Sequence, residues 1–78
     1  MGRIHFARLE HSPRLQRIKA FLERCGSSGA TGLEIATECR VLNPATYISE
    51  LRFNGLDIEC RYERDTVQGR RVYRYFLR

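Results

Sequence analysis

The chain has 78 residues, of which 42% are apolar and 29% charged, and a formal net charge of +5. That length builds one domain with one thin core, which excludes a deep catalytic pocket walled by several layers of side chains. The apolar residues recur at short periods and never gather into a run that would span a bilayer, so no membrane segment is expected.

Met1 to Glu10 carries charges and lacks the apolar core and small-residue cleavage site of a secretory signal, so the expected compartment is the cytoplasm. Cys25, Cys39 and Cys60 stand far apart without a Cys-x-x-Cys pair and among apolar neighbours. They read as buried thiols of a reducing compartment, and no metal or other cofactor is expected. Lys19 is the only lysine, so the positive charge is arginine charge. The guanidinium is a planar fork that fits phosphate and guanine edges.

Along the chain, residues 3–9 alternate weakly at Ile4 and Phe6 and leave three readings open: a short strand, a clamp over the core or an arm. At Ser12-Pro13 a serine cap precedes a proline at the first helical position, where the missing N–H costs nothing. Leu15, Ile18, Leu22 and Cys25 then recur at helical spacing, with Phe21 widening the stripe, and Gly26 ends the helix. The arginines Arg14, Arg17 and Arg24 fall on its solvated side.

Gly26 to Gly29 reads as a flexible turn, and Ala30-Thr31 could supply a very short strand. Thr31 and Glu34 have capping-box spacing, which starts a second helix over about 32–39 with Leu33, Ile35, Ala36 and Cys39 inward. Asn43-Pro44 is another cap and proline start, so the chain reverses within a few residues between two helices. The third helix runs from Pro44 to about Asn54, with Ile48 and Leu51 in the core, Tyr47 at the boundary and Gly55 as its stop.

The period then changes to two: Ile58, Cys60 and Tyr62 alternate with Glu59, Arg61 and Glu63, the pattern of a strand with one buried face. Asp65 to Gly69 supplies turn residues, and Val72 to Leu77 a second strand. In that strand Tyr73, Tyr75 and Leu77 are assigned inward and Val72, Arg74 and Phe76 outward, although Phe76 keeps the opposite register open. The fold class expected is therefore α+β: three helices and a C-terminal hairpin.

The stretch Thr31-Gly-Leu-Glu-Ile-Ala, the run Leu42-Asn-Pro-Ala-Thr-Tyr-Ile-Ser-Glu-Leu-Arg-Phe-Asn-Gly55, then Ile58-Glu-Cys-Arg and the ending Arg74-Tyr-Phe-Leu77 resemble winged helix-turn-helix domains. The likeness is to the short stand-alone helix-turn-helix proteins of bacteriophages and prophages, and it covers roughly residues 13–77. The resemblance implies a winged domain over residues 12–78; residues 1–11 lie outside it and read as an arm or short strand. It also implies binding of double-stranded DNA, with the third helix in the major groove and the hairpin as a wing on the backbone.

Carried onto this chain, the helix surface comprises Asn43, Ala45, Thr46, Ser49, Arg52 and Phe53, and the wing offers Arg64, Gln68, Arg70 and Arg71. Tyr47, if exposed, adds a hydroxyl for a phosphate. Arg52 sits late in the helix, where it would meet backbone before bases. The role expected is a transcription regulator or accessory factor that occupies a DNA site, alone or as a homodimer.

One feature pulls the other way. Between Thr31 and Asp57 two arginines face four carboxylates, so the helix-turn-helix itself is acidic. The rival expectation is a protein-binding winged helix in which Tyr47, Phe53 and Phe76 form an exposed aromatic patch. Catalysis is not expected: His5 and His11 precede the capped core, and no Gly-rich phosphate loop opens a helix.

Overall fold

The computed structural model describes residues 7–78. Two of its three α-helices begin where a side chain satisfies one of the free backbone donors that every helix start carries. The Ser12 hydroxyl accepts from the Leu15 N–H at 3.2 Å and starts α1, Pro13–Cys25. Gly26 closes α1 at a positive φ of 54° and passes into a 3-10 turn over Gly26–Ser28, where a flexible turn was expected. After the two-residue strand β1, Ala30–Thr31, the capping box forms with both of its bonds: Glu34 N–H to Thr31 Oγ1 at 3.2 Å, and Thr31 N–H to Glu34 Oε1 at 2.8 Å. It opens α2, Gly32–Cys39.

The third helix, α3, spans Pro44–Phe53. Asn43 precedes it as expected, but its side chain makes no capping bond, which corrects the assignment of Asn43 as a working cap. With ψ at 80° the residue departs from cap geometry, and its side chain lines a cleft instead. Two strands follow, β2 over Ile58–Asp65 and β3 over Arg71–Leu77.

The sheet is antiparallel in the order β1-β3-β2, with Ala30 opposite Tyr75 and Ile58 opposite Leu77. A bulge between Tyr62 and Arg64 shifts the register near the hairpin's far end. The architecture is thus α+β, three α-helices against a three-stranded antiparallel sheet. No helix among the described residues is long and apolar enough to cross a membrane.

Leu15, Ile18 and Leu22 of α1, Ile35 and Cys39 of α2, Ile48 and Leu51 of α3, and Ile58 of β2 form the core. Tyr75 and Leu77 pack against it, as their alternation implies, and Tyr73 is half-buried. Phe76 faces the other way and is nevertheless buried, at 7% exposure. It is covered by the chain at Gly29 and by the guanidinium groups of Arg61 and Arg78, 4.6 and 5.4 Å from the ring centre. Gly29 makes this possible: it has φ +64°, and a Cβ there would stand 2.7 Å from the Phe76 ring and 2.6 Å from the Tyr75 carbonyl.

Several expected core positions are exposed. Leu33, at 78% exposure, lies on the first turn of α2, at the edge of an open groove beside Phe21 and Cys25 of α1. On β2 the alternation holds but only Ile58 is covered; Cys60 and Tyr62 are exposed because the hairpin outruns the helices. Burial of all three cysteines is corrected likewise: Cys39 is buried, Cys25 half-buried and Cys60 exposed.

Of the segment 3–9, positions 3–6 lie outside the described residues. The described part does not form a strand: Leu9–His11 is a 3-10 turn, and Leu9 packs on the core. Asn54, at the end of α3, holds this entry segment through its side chain, accepting from the Leu9 N–H at 2.9 Å and donating to the Ala7 carbonyl at 3.0 Å.

Candidate functional site

The exposed surface of α3 stands between two clefts. The first, of about 540 Å³, separates the hairpin from the starts of α2 and α3. Its floor is apolar, from Ala36, Pro44, Ala45 and Val72, and its hairpin wall carries Arg64, Arg70 and Arg71. No carboxylate lines it.

The turn that presents these arginines is closed by Thr66. Its N–H donates to the Arg70 carbonyl at 2.7 Å, its carbonyl accepts from Gly69 N–H at 2.9 Å, and its hydroxyl accepts from Arg70 N–H at 3.1 Å. Gly69, at φ 83°, takes the left-handed step that such a turn demands. Thr66 was missed in the sequence reading, although a threonine opening a glycine-bearing turn is a recognisable signal.

The three arginines are less engaged than their neighbours on the hairpin. Among the described residues their side chains make no hydrogen bond or ion pair. The other hairpin arginines are engaged. Arg61 and Arg78 both grip Glu59, and Arg74 meets Glu63 at 2.5 Å, Glu34 at 3.6 Å and the Ser28 carbonyl at 3.1 Å. The two hydrogen bonds hold the Glu59 carboxyl well below the ordinary range, at about 2, and Arg74 lowers that of Glu63. Burial raises the thiols of Cys25 and Cys39, which favours their protonated form.

The predicted site residues divide accordingly. Asn43 and Ala45 line the first cleft with Arg64, Arg70 and Arg71. Thr46 and Tyr47 line the second, on the far side of α3. Ser49 and Phe53 are exposed on α3, and Gln68 is exposed in the hairpin turn. Arg52 is corrected: its guanidinium donates twice to the Ile58 carbonyl, at 2.7 and 3.1 Å, and so fastens the end of α3 to the start of β2.

The aromatic patch is also corrected. Phe76 is buried, Tyr47 is half-buried with its hydroxyl accepting from Arg14, and Phe53 lines a different groove beside Leu9 and Asn54. Of the four carboxylates of the helix-turn-helix, Glu34 and Glu50 are engaged in bonds of the fold. Glu34 is taken up by the capping box and Arg74, Glu50 accepts from the Ala7 N–H at 3.1 Å, and Glu38 lines a groove with Phe21 and Cys25. Among the described residues no three His, Cys, Asp or Glu side chains gather as metal ligands.

No known protein family, curated protein or solved structure matches the chain.

Proposed function

We propose that this chain is a winged helix-turn-helix domain that binds double-stranded DNA, with α3 in the major groove and the β2–β3 hairpin as a wing on the adjacent backbone. One observation carries the reading: three arginines that make no hydrogen bond or ion pair with their side chains among the described residues rim a cleft whose lining holds no carboxylate, beside the exposed start of α3. Leaving guanidinium groups unpaired beside a helix that offers Thr46 and Ser49 is useful when a polyanion supplies the missing partners.

The division of labour follows from chemistry. Arg64, Arg70 and Arg71 neutralise phosphates and release counterions, which contributes affinity without sequence preference. Ala45, Thr46 and Ser49 on the outer face of α3 meet base edges and set the preference. The biological role we assign is that of a cytoplasmic, phage-like regulator or accessory protein that acts by occupying its site.

The test is duplex binding by fluorescence anisotropy at several salt concentrations, using specific-site candidates and random DNA. Replacing Arg70 and Arg71 by alanine is expected to weaken binding to every duplex and to reduce the salt slope by about 2, roughly one for each lost phosphate contact. No binding to any duplex at low salt would overturn the reading. A second reading, a protein partner in the same cleft, draws on its apolar floor and on exposed Leu33 at its edge. Under that reading binding would be insensitive to salt and duplexes would not compete.

A further inference from the structure

The second cleft beside α3 measures about 640 Å³ and lies between the start of α1 and the turn joining α2 to α3. Arg14, Arg40, Thr46 and Tyr47 line it. We infer that it holds a backbone phosphate of the same duplex, on the side of α3 opposite the hairpin, through Arg14, Arg40 and the hydroxyl of Tyr47. The inference rests on the DNA-binding reading and joins to Tyr47 two arginines, Arg14 and Arg40, to which that reading gives no role.

Three features converge. Arg14 Nη1 donates to the Tyr47 hydroxyl at 3.3 Å, bringing together side chains 33 positions apart in the chain. Because that hydroxyl accepts from Arg14, its own proton is free to be donated, and the remaining N–H groups of Arg14 lie beside it. This edge of the cleft therefore presents donors to a ligand that only accepts, which is the character of a phosphodiester oxygen.

Arg40 supplies the second feature. It closes α2 in the left-handed region, at φ 58° and ψ 50°, and is the only non-glycine residue with positive φ among those described. Glycine or asparagine ends a helix there with less strain, so an arginine at this position calls for a use of its side chain. That side chain makes no hydrogen bond or ion pair among the described residues. Thirdly, Glu50, the one carboxylate among the lining residues, accepts from the Ala7 N–H and offsets only one of the two arginine charges, so the lining is positive on balance. With Arg64, Arg70 and Arg71 on the other side, α3 is flanked by cations in the arrangement that the two phosphate rows bordering a major groove require.

The experiment compares Arg40→Gly, Arg40→Asn, Tyr47→Phe and the Arg70→Ala/Arg71→Ala double variant with the unchanged chain. Each is measured for thermal melting and for duplex affinity across a salt series. Both Arg40 variants suit the left-handed backbone and are expected to keep or raise the melting temperature, while duplex affinity drops about tenfold and the salt slope falls by about 1. Tyr47→Phe is expected to lower affinity several-fold on all duplexes with sequence preference unchanged. Unaltered affinity and slope in both Arg40 variants, with the hairpin variant impaired, would sink this second phosphate contact and leave the DNA reading standing. Failure of the unchanged chain to bind any duplex would sink both.

Discussion

Two sets of arginines on the hairpin use one residue type in opposite ways. On the face turned from the helices, Arg61, Arg74 and Arg78 are matched by Glu59, Glu63 and Glu34, and two of them cover the Phe76 ring. Beside the cleft, Arg64, Arg70 and Arg71 make no ion pair among the described residues, although Asp65 stands opposite Arg71 in the ladder and Arg64 lies near Glu63. Charge in the first set ties the strands to each other, whereas the second set makes no ion pair among the described residues. Net charge alone cannot distinguish them, because pairing is a tertiary property.

The comparison is broken most severely at Gly29. Gly29→Val brings a branched side chain onto the Tyr75 carbonyl and the Phe76 ring at a positive φ, and is expected to cost about 3 kcal/mol or more in denaturant unfolding. Arg74→Ala removes bonds to Glu63 and to the Ser28 carbonyl, and should lower stability by about 1–2 kcal/mol. Arg70→Ala, by contrast, should stay within about 0.5 kcal/mol of the unchanged chain in the same assay. Equal losses at Arg74 and Arg70 would erase the distinction between the two sets.

Thr31→Ala breaks the capping box and should cost about 1 kcal/mol, read by thermal melting, with the hairpin arginines left as they are. The smallest effect is that of acid. Glu59 has a folded value of about 2 against an ordinary 4.5, so its contribution is complete above 4.5 and is lost as pH falls from there through 2. Glu59→Gln should flatten the stability profile over that window, and an unchanged profile would remove Glu59 from the account.

Local chemistry explains what the sequence made legible. Ser12-Pro13, Thr31 with Glu34, and Asn43-Pro44 mark helix starts within the chain segment that forms them, and the structure places α1, α2 and α3 at those starts. Burial was less legible wherever it depends on how far one element reaches over another. Leu33 and Tyr62 fit the apolar periods of their elements, yet no neighbouring element extends far enough to cover them. Phe76 illustrates the converse, an outward residue buried by a glycine distant in sequence.

The candidate site divides along the same line. Ala45 and Thr46 follow from helix position, and Arg64 and Arg70 from flanking a turn. The anchoring of Arg52 on the Ile58 carbonyl and the place of Arg40 beside Arg14 depend on chain segments that meet only in three dimensions.

The hold of Asn54 and Glu50 on the entry segment has a spectroscopic consequence. The amide protons of Ala7 and Leu9 are bonded to side chains of α3, so their exchange with solvent deuterium is timed by that helix and not by their distance from the chain start. Those two amides act as a built-in clock for α3: their exchange reports whether DNA steadies the helix, without a label on the surface that would meet it.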